Sequence, residues 1–214
     1  MCKLLTILLI FISTSLFGQK IISDTNLTIK HGDMTLYLTN DTCTMVSKHV
    51  LSYSNFLKLD KERDDNWFED KFKGKYNKNS YYKSGYDIGH LTPSHITSYD
   101  NTLNHNSFSL FNASPQTPSF NRGSWKKLEL SIEDTISKYK KDVIIITGVI
   151  YDIKDKKYLG SSKIPIPSHY FKILYLDKKI YAWLGSNING DIKETTIKEL
   201  NKLFKINKQK LKIN

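Results

Sequence analysis

Apolar and polar positions along this 214-residue chain follow two different periods in turn. Over residues 26–47, runs such as LTIKHGDMTLYLTN carry strand-forming residues punctuated by Asn, Gly and Asp, which predicts short strands joined by turns. Residues 58–80 are charged and read as loop. The stretch SGYDIGHLTPSHI is strand-like but broken by Gly85, Gly89 and Pro93, and FSLFNA at 108–113 predicts a strand ended by Ser114-Pro115. From Asn121 the period changes: Trp125, Leu128, Ile132 and Ile136 recur at spacings of 3 and 4, one apolar helical stripe with charges between. VIIITGVI at 143–150 is a continuous β-branched run, as expected of a strand covered on both faces. Two further strands are predicted around 169–176 and 180–184. A last amphipathic helix is predicted over 193–204, with Ile197, Leu200, Leu203 and Phe204 on its apolar side. These elements sum to a mixed chain with a largely antiparallel sheet and helices packed on its faces.

The first 18 residues differ in kind: Lys3 precedes an apolar run from Leu4 to Ile12, then Ser13, Thr14 and Ser15. The run is too short for a membrane anchor and reads as a signal peptide cleaved near Gly18–Gln19, with a secreted or periplasmic product. No later stretch reads as a membrane span. Repeats, low-complexity tracts and linkers are absent from the sequence, so residues 19–214 are read as one domain. The formal charge is +11, and removal of Lys3 with the leader leaves +10. Lysines spread along an exported chain at this charge suit a polyanionic partner. After the leader only Cys43 remains, which rules out an internal disulfide and a cysteine-based metal site.

Among six histidines, His90 stands apart through its setting. Gly89 precedes it, Gly85 lies five residues back and Pro93 follows, so the backbone is kinked and can approach a ligand closely. An imidazole with an ordinary pKa of about 6.5 takes a proton from water near neutral pH. Asn121 opens the predicted helix, where its side chain either caps the first turn or carries a cation. Magnesium takes oxygen ligands and keeps several waters, so one amide suffices. Glu129 lies eight residues on, about 12 Å along an ideal helix and about 80° around it, too far to share a first coordination shell easily.

Two blocks, YDIGHLTPSHI at 86–96 and FNASPQTPSFNRGSWKKLE at 111–129, resemble the DNA/RNA non-specific endonucleases of the ββα-metal (His-Me finger) fold. The first is similar to the family's D-R-G-H signature, the second to its N-x-x-P-Q…N-x-x-x-W-x-x-L-E signature. TGVIY at 147–151 and IPSHYFKILY at 166–175 are similar to its later strands, and the likeness covers roughly residues 60–190. It implies an α+β fold and a Mg²⁺-dependent endonuclease acting on DNA and RNA, with Mn²⁺ as a substitute cation and 5′-phosphate products. By position, it makes His90 the general base, Asn121 the metal ligand and Glu129 the holder of a metal-bound water. Asn112 and Gln116 match polar residues of the family's site, either orienting His90 or contacting phosphate. Arg63 resembles the Arg that binds the scissile phosphate, and Asp87, the first motif position, is given a structural role.

Two positions depart from the pattern: Ile88 stands where the signature has Arg, and Glu133 where a further Arg is expected. Losing such a charged contact typically costs on the order of 10²-fold in rate. Arg122, or Lys83, Lys126 and Lys127 nearby, are the charges at hand to compensate as substrate-binding groups. A catalytically weakened nucleic-acid-binding homologue is therefore the alternative. An inhibitor protein as a partner, the oligomeric state and the preference between DNA and RNA are left open by the sequence.

Overall fold

The β-branched run at 143–150 is the middle of a seven-stranded sheet, and everything that positions the candidate site hangs from it. The computed structural model describes residues 21–23, 27–38, 44–59, 64–69, 77–209 and 211–213. The leader at 1–18, Cys43 and Arg63 lie outside the described residues. In chain order the strands and α-helices are β1 (Ile21–Ser23), β2 (Leu27–His31), β3 (Met34–Leu38), β4 (Thr44–Leu51), α1 (Tyr53–Phe56), β5 (Asp87–His90) and α2 (Asn101–Ser107). They continue with β6 (Ala113–Gln116), α3 (Lys126–Tyr139), β7 (Val143–Ile150), β8 (Lys157–Leu159), β9 (Ile164–Ile166) and β10 (His169–Leu176). The chain closes with β11 (Lys179–Ser186), β12 (Ile192–Glu194), α4 (Ile197–Ile206) and β13 (Leu211–Ile213).

The main sheet runs β12-β11-β10-β7-β4-β3-β2, every neighbouring pair antiparallel. All of β7 is buried because helices cover both sides. On one side Ile144, Ile146, Phe171 and Ile173 meet Leu200 and Phe204 of α4. On the other, Val143, Ile145, Val149, Tyr170 and Leu174 meet Trp125, Leu128, Ile132 and Ile136, the helical stripe read from the sequence. Among the described residues, no helix is long and apolar enough to cross a membrane.

A separate two-stranded ribbon, β5 against β6, leads straight into the helix that carries α3, which makes a β-β-α unit. Its register sets Asp87 opposite Gln116 and His90 opposite Ala113. The expected strand at 108–113 is corrected here. Residues 110–112 form a 3₁₀ turn and the strand is Ala113–Gln116, running through Ser114-Pro115 rather than ending there. The Ser109 hydroxyl accepts from the Phe111 N–H and closes that turn, overriding the β-propensity of FSLF. Pro115 fits the ribbon because its carbonyl faces away from β5, taking bonds from Tyr170 and Asn187, so the missing N–H deprives no partner.

The helix also starts earlier than expected. Helical residues begin at Pro118, which lacks only an N–H that the first turn leaves unpaired anyway, and Phe120–Trp125 form a π-helical turn before α3. The predicted helix at 193–204 is in fact β12 followed by α4 from Ile197, started by a capping box between Thr196 and Glu199.

Candidate active site

His90 ends β5, and its ring sits in an aromatic slot. The Trp67 ring lies 4.3 Å away, tilted, and the Phe108 ring meets it edge-on at 4.8 Å. The segment carrying Trp67 is held there by backbone bonds on both sides of Phe68, from Phe68 N–H to Phe108 O and from Leu110 N–H to Phe68 O. Gly89 is required by its surroundings: a Cβ there would lie 2.2 Å from Oε1 of Gln116, far inside van der Waals contact. Gln116 is fully buried against that backbone, and its amide has no hydrogen-bond partner among the described residues.

Asn112 is also fully buried, and both ends of its amide are occupied. Oδ1 accepts from Thr92 N–H, while Nδ2 donates to Thr92 O and to Ser107 O, at 2.8 to 3.0 Å. It therefore fixes the loop that leaves His90. Of the two roles open to Asn112, phosphate contact is removed by this burial and saturation.

Asn121 does not cap the helix. It sits within the π turn, and its Nδ2 donates to Asp87 Oδ2 at 2.9 Å. An ionised carboxylate only accepts, so the NH₂ end must face Asp87, and Oδ1 of Asn121 points elsewhere with no donor among the described residues. Arg122, 72% exposed, grips the same carboxylate through Nε at 2.9 Å and Nη2 at 2.6 Å. Burial works to raise the Asp87 carboxyl, but the bonds from Arg122 and Asn121 outweigh it and hold the group below the usual carboxylate range. Asp87 thus ties β5 to the helix start. Asn121 and His90 belong to one β-β-α unit, with the Asn121 amide bonded to Asp87 rather than to His90.

Glu129 is not a free carboxylate on an open helix face. Oε1 takes a bond at 3.2 Å from the ammonium of Lys172, which is 1% exposed on β10. That ammonium also lies 4.9 Å over the Trp125 ring. Burial pushes the Glu129 carboxyl up and the Lys172 ammonium down, each against the attraction of the other. Glu133, one turn further on, pairs with His95 Nδ1 at 3.0 and 3.1 Å. Ile88 packs on the apolar cluster of Leu36, Tyr81 and Phe111. The ideal-helix separation of Asn121 from Glu129 does not hold, because the wider π turn between them rotates less per residue.

Sequence reasoning missed Lys172, His95, Trp67 and Asn187. Asn187 is 2% exposed and ties the end of β6 to the sheet, accepting from Thr117 N–H and donating to Pro115 O and Pro167 O. Only the Trp67 region carried a signal, an aromatic pair inside a charged loop. Among the described residues, no cluster of three or more His, Cys, Asp or Glu side chains can hold a metal ion. Among the described residues the neutral amide oxygen of Asn121 is presented without a donor, and an oxygen of that kind suits a hard cation that keeps most of its own waters.

The β-β-α unit thus ends one strand in a histidine and carries an anchored asparagine in the first turn of its helix. The chain belongs to the DNA/RNA non-specific endonuclease family, whose model matches residues 17–207. A mitochondrial nuclease of Saccharomyces cerevisiae (strain ATCC 204508 / S288c) is 33% identical over 124 residues, covering 52% of this chain and 37% of that protein. The mitochondrial endonuclease G of Homo sapiens is 27% identical over 106 residues, covering 45% of this chain and 35% of that one. The aligned part thus spans little more than a third of these relatives' own lengths. A chain in the crystal structure of the EndoG/EndoGI complex, which concerns the mechanism of EndoG inhibition, shares the fold with a TM-score of 0.66 at 19% identity, covering 82% of both chains.

Proposed function

We propose that this protein is a secreted, Mg²⁺-dependent endonuclease that hydrolyses phosphodiester bonds of DNA and RNA with little regard for sequence. The observation that carries this reading is the amide of Asn121, held by Asp87 so that its oxygen meets no donor among the described residues, in the same β-β-α unit as His90. Asn121 would hold the cation, Mg²⁺ or Mn²⁺ in its place, which when bound neutralises charge on the phosphate and on the leaving oxygen. His90 takes one proton from the attacking water. The water oxygen bonds to phosphorus as the bond to the 3′-oxygen breaks, and the departing 3′-oxygen takes a proton from solvent water, leaving a 5′-phosphate and a 3′-hydroxyl. General-base action of this kind contributes about 10²- to 10⁴-fold. Trp67 and Phe108 fix the plane of the imidazole, and Asn112 fixes the loop behind it.

Arg63 and Arg122 would contact phosphate, Arg122 through the donors that Asp87 leaves unused. Gln116 would act on the backbone at Gly89, and Glu129 on the water around the cation. Recognition through backbone phosphates and lysine charge carries little sequence information. The apolar run in residues 1–18 supports export, and the EndoG/EndoGI complex of a structural neighbour supports an inhibitor protein as a class of partner. Residues 19–214 are read as the single working domain.

Purified residues 19–214 should degrade plasmid DNA and RNA with Mg²⁺, and lose that activity in EDTA and in His90→Ala. The second reading, a binder weakened by Ile88 and Glu133, predicts retained nucleic-acid binding without cleavage by the wild type at low salt.

A further inference from the structure

The Lys172–Glu129 pair has no ready explanation in stability. It is walled by Pro93, Ile96, Ile132 and Ile145, and an ion pair in such a setting is commonly replaceable by apolar side chains without loss of stability. Lysine in the middle of a strand buried from Tyr170 to Leu176 is equally unexpected, since its neighbours in HYFKILYL fill the two cores. What the lysine does accomplish is geometric. Its ammonium, backed by the Trp125 face, bonds Oε1 of Glu129, while Oε2 has no hydrogen-bond partner among the described residues and the side chain keeps 20% of its surface open to solvent. The arrangement repeats the one at Asn121, where Asp87 takes one end of the amide and leaves the other presented.

We propose that Lys172 is a positioning residue for the reaction, holding one oxygen of Glu129 so that the other is a fixed acceptor for water around the cation. This rests on the endonuclease reading above. Lys172 itself touches neither water nor substrate; it acts through Glu129. The other charges facing that carboxylate are Glu133 and Lys126, and neither bonds it. Glu133 is committed to His95.

The test compares wild type, Lys172→Met, Glu129→Gln and the double variant, all as residues 19–214. In the metal-free proteins, ¹³C-carboxyl NMR should show the Glu129 protonation midpoint rising by about one pH unit or more in Lys172→Met. With Mg²⁺ and plasmid DNA, Lys172→Met should cleave roughly 10- to 100-fold more slowly, the usual effect of losing a partner that orients a site group. In the Glu129→Gln background the same substitution should change the rate by less than about 3-fold, because a residue acting only through Glu129 has nothing left to act on. Equal losses in both backgrounds, or an unmoved midpoint with wild-type cleavage, overturn the proposal. Should Lys172→Met not fold, the double variant, free of unpaired buried charge, must match Glu129→Gln, and a further loss overturns it. Wild type that fails to cleave would remove the endonuclease reading instead, and the metal-free titration would still decide whether Lys172 governs Glu129.

Discussion

Asp87 accepts the side-chain N–H of Asn121 at 2.9 Å, and this one bond decides which end of the amide is available for chemistry. Without the carboxylate the amide can turn over and present NH₂, which repels a cation. Asp87→Asn should therefore lower cleavage roughly 10- to 100-fold and weaken Mg²⁺ binding. Its stability effect should be small beside the loss of cleavage, since the Arg122 end of the bridge it also removes is exposed. The Asp87 carboxyl lies below its ordinary range, so its contribution to stability is present above the unfolded value and is lost only as pH falls through the lower folded one. Chemical denaturation beside a cleavage assay separates the two effects.

Gly89→Ala places a methyl group where Gln116 now lies, 2.2 Å from Oε1. The Gln116 side chain is buried and has little room to retreat. Overpacking of this kind should cost about 1–3 kcal/mol, measured by urea denaturation. Cleavage should fall as well, because the shift is passed to the adjacent His90.

Asn112→Ala leaves Thr92 N–H, Thr92 O and Ser107 O without their partner inside the molecule. A loss of about 3 kcal/mol is expected from those unpaired groups. If the residue acts by holding the loop after His90, activity should decline more steeply with temperature than that of wild type. A heat-denaturation curve and a rate series together check it.

His49, wholly buried on β4, is kept neutral: burial pulls its pKa down to about 4 even with Asp33 nearby pulling it up. The unfolded chain takes a proton at this residue near pH 6.5 and the folded one near 4, so stability falls as pH drops through that window. The loss approaches about 3 kcal/mol by pH 4. Replacing His49 with Leu should flatten this part of the stability profile, read from urea midpoints between pH 7 and 4.

The two helical faces and the central strand were legible because local period decides them. Trp125, Leu128, Ile132 and Ile136 are all buried, as their spacing requires, and Val143–Ile150 is covered on both sides. The two signature blocks do lie on neighbouring strands and the helix after them. The misread pieces are those where a side chain bonds backbone: Ser109 turned FSLF from strand to 3₁₀, and Thr196 with Glu199 set the start of α4. That last capping box is written in the sequence as a Thr and a Glu three residues apart. Lys172 was not legible at all, since a lysine in a strand reads as a solvent-facing residue until a carboxylate from a distant helix is seen to meet it. The start of the helix that carries Asn121 was displaced for a similar reason: Pro118 and the π turn depend on Asn187 and on the packing of Phe120 and Trp125 over Tyr170.

The most direct test is a crystal of residues 19–214 soaked in Mn²⁺ and measured at the manganese absorption edge. A peak of anomalous scattering about 2.1 Å from Asn121 Oδ1, the distance expected of a hard divalent cation to oxygen, and lost in Asn121→Ala, is the result predicted. Manganese that supports cleavage while binding away from Asn121 would contradict the account.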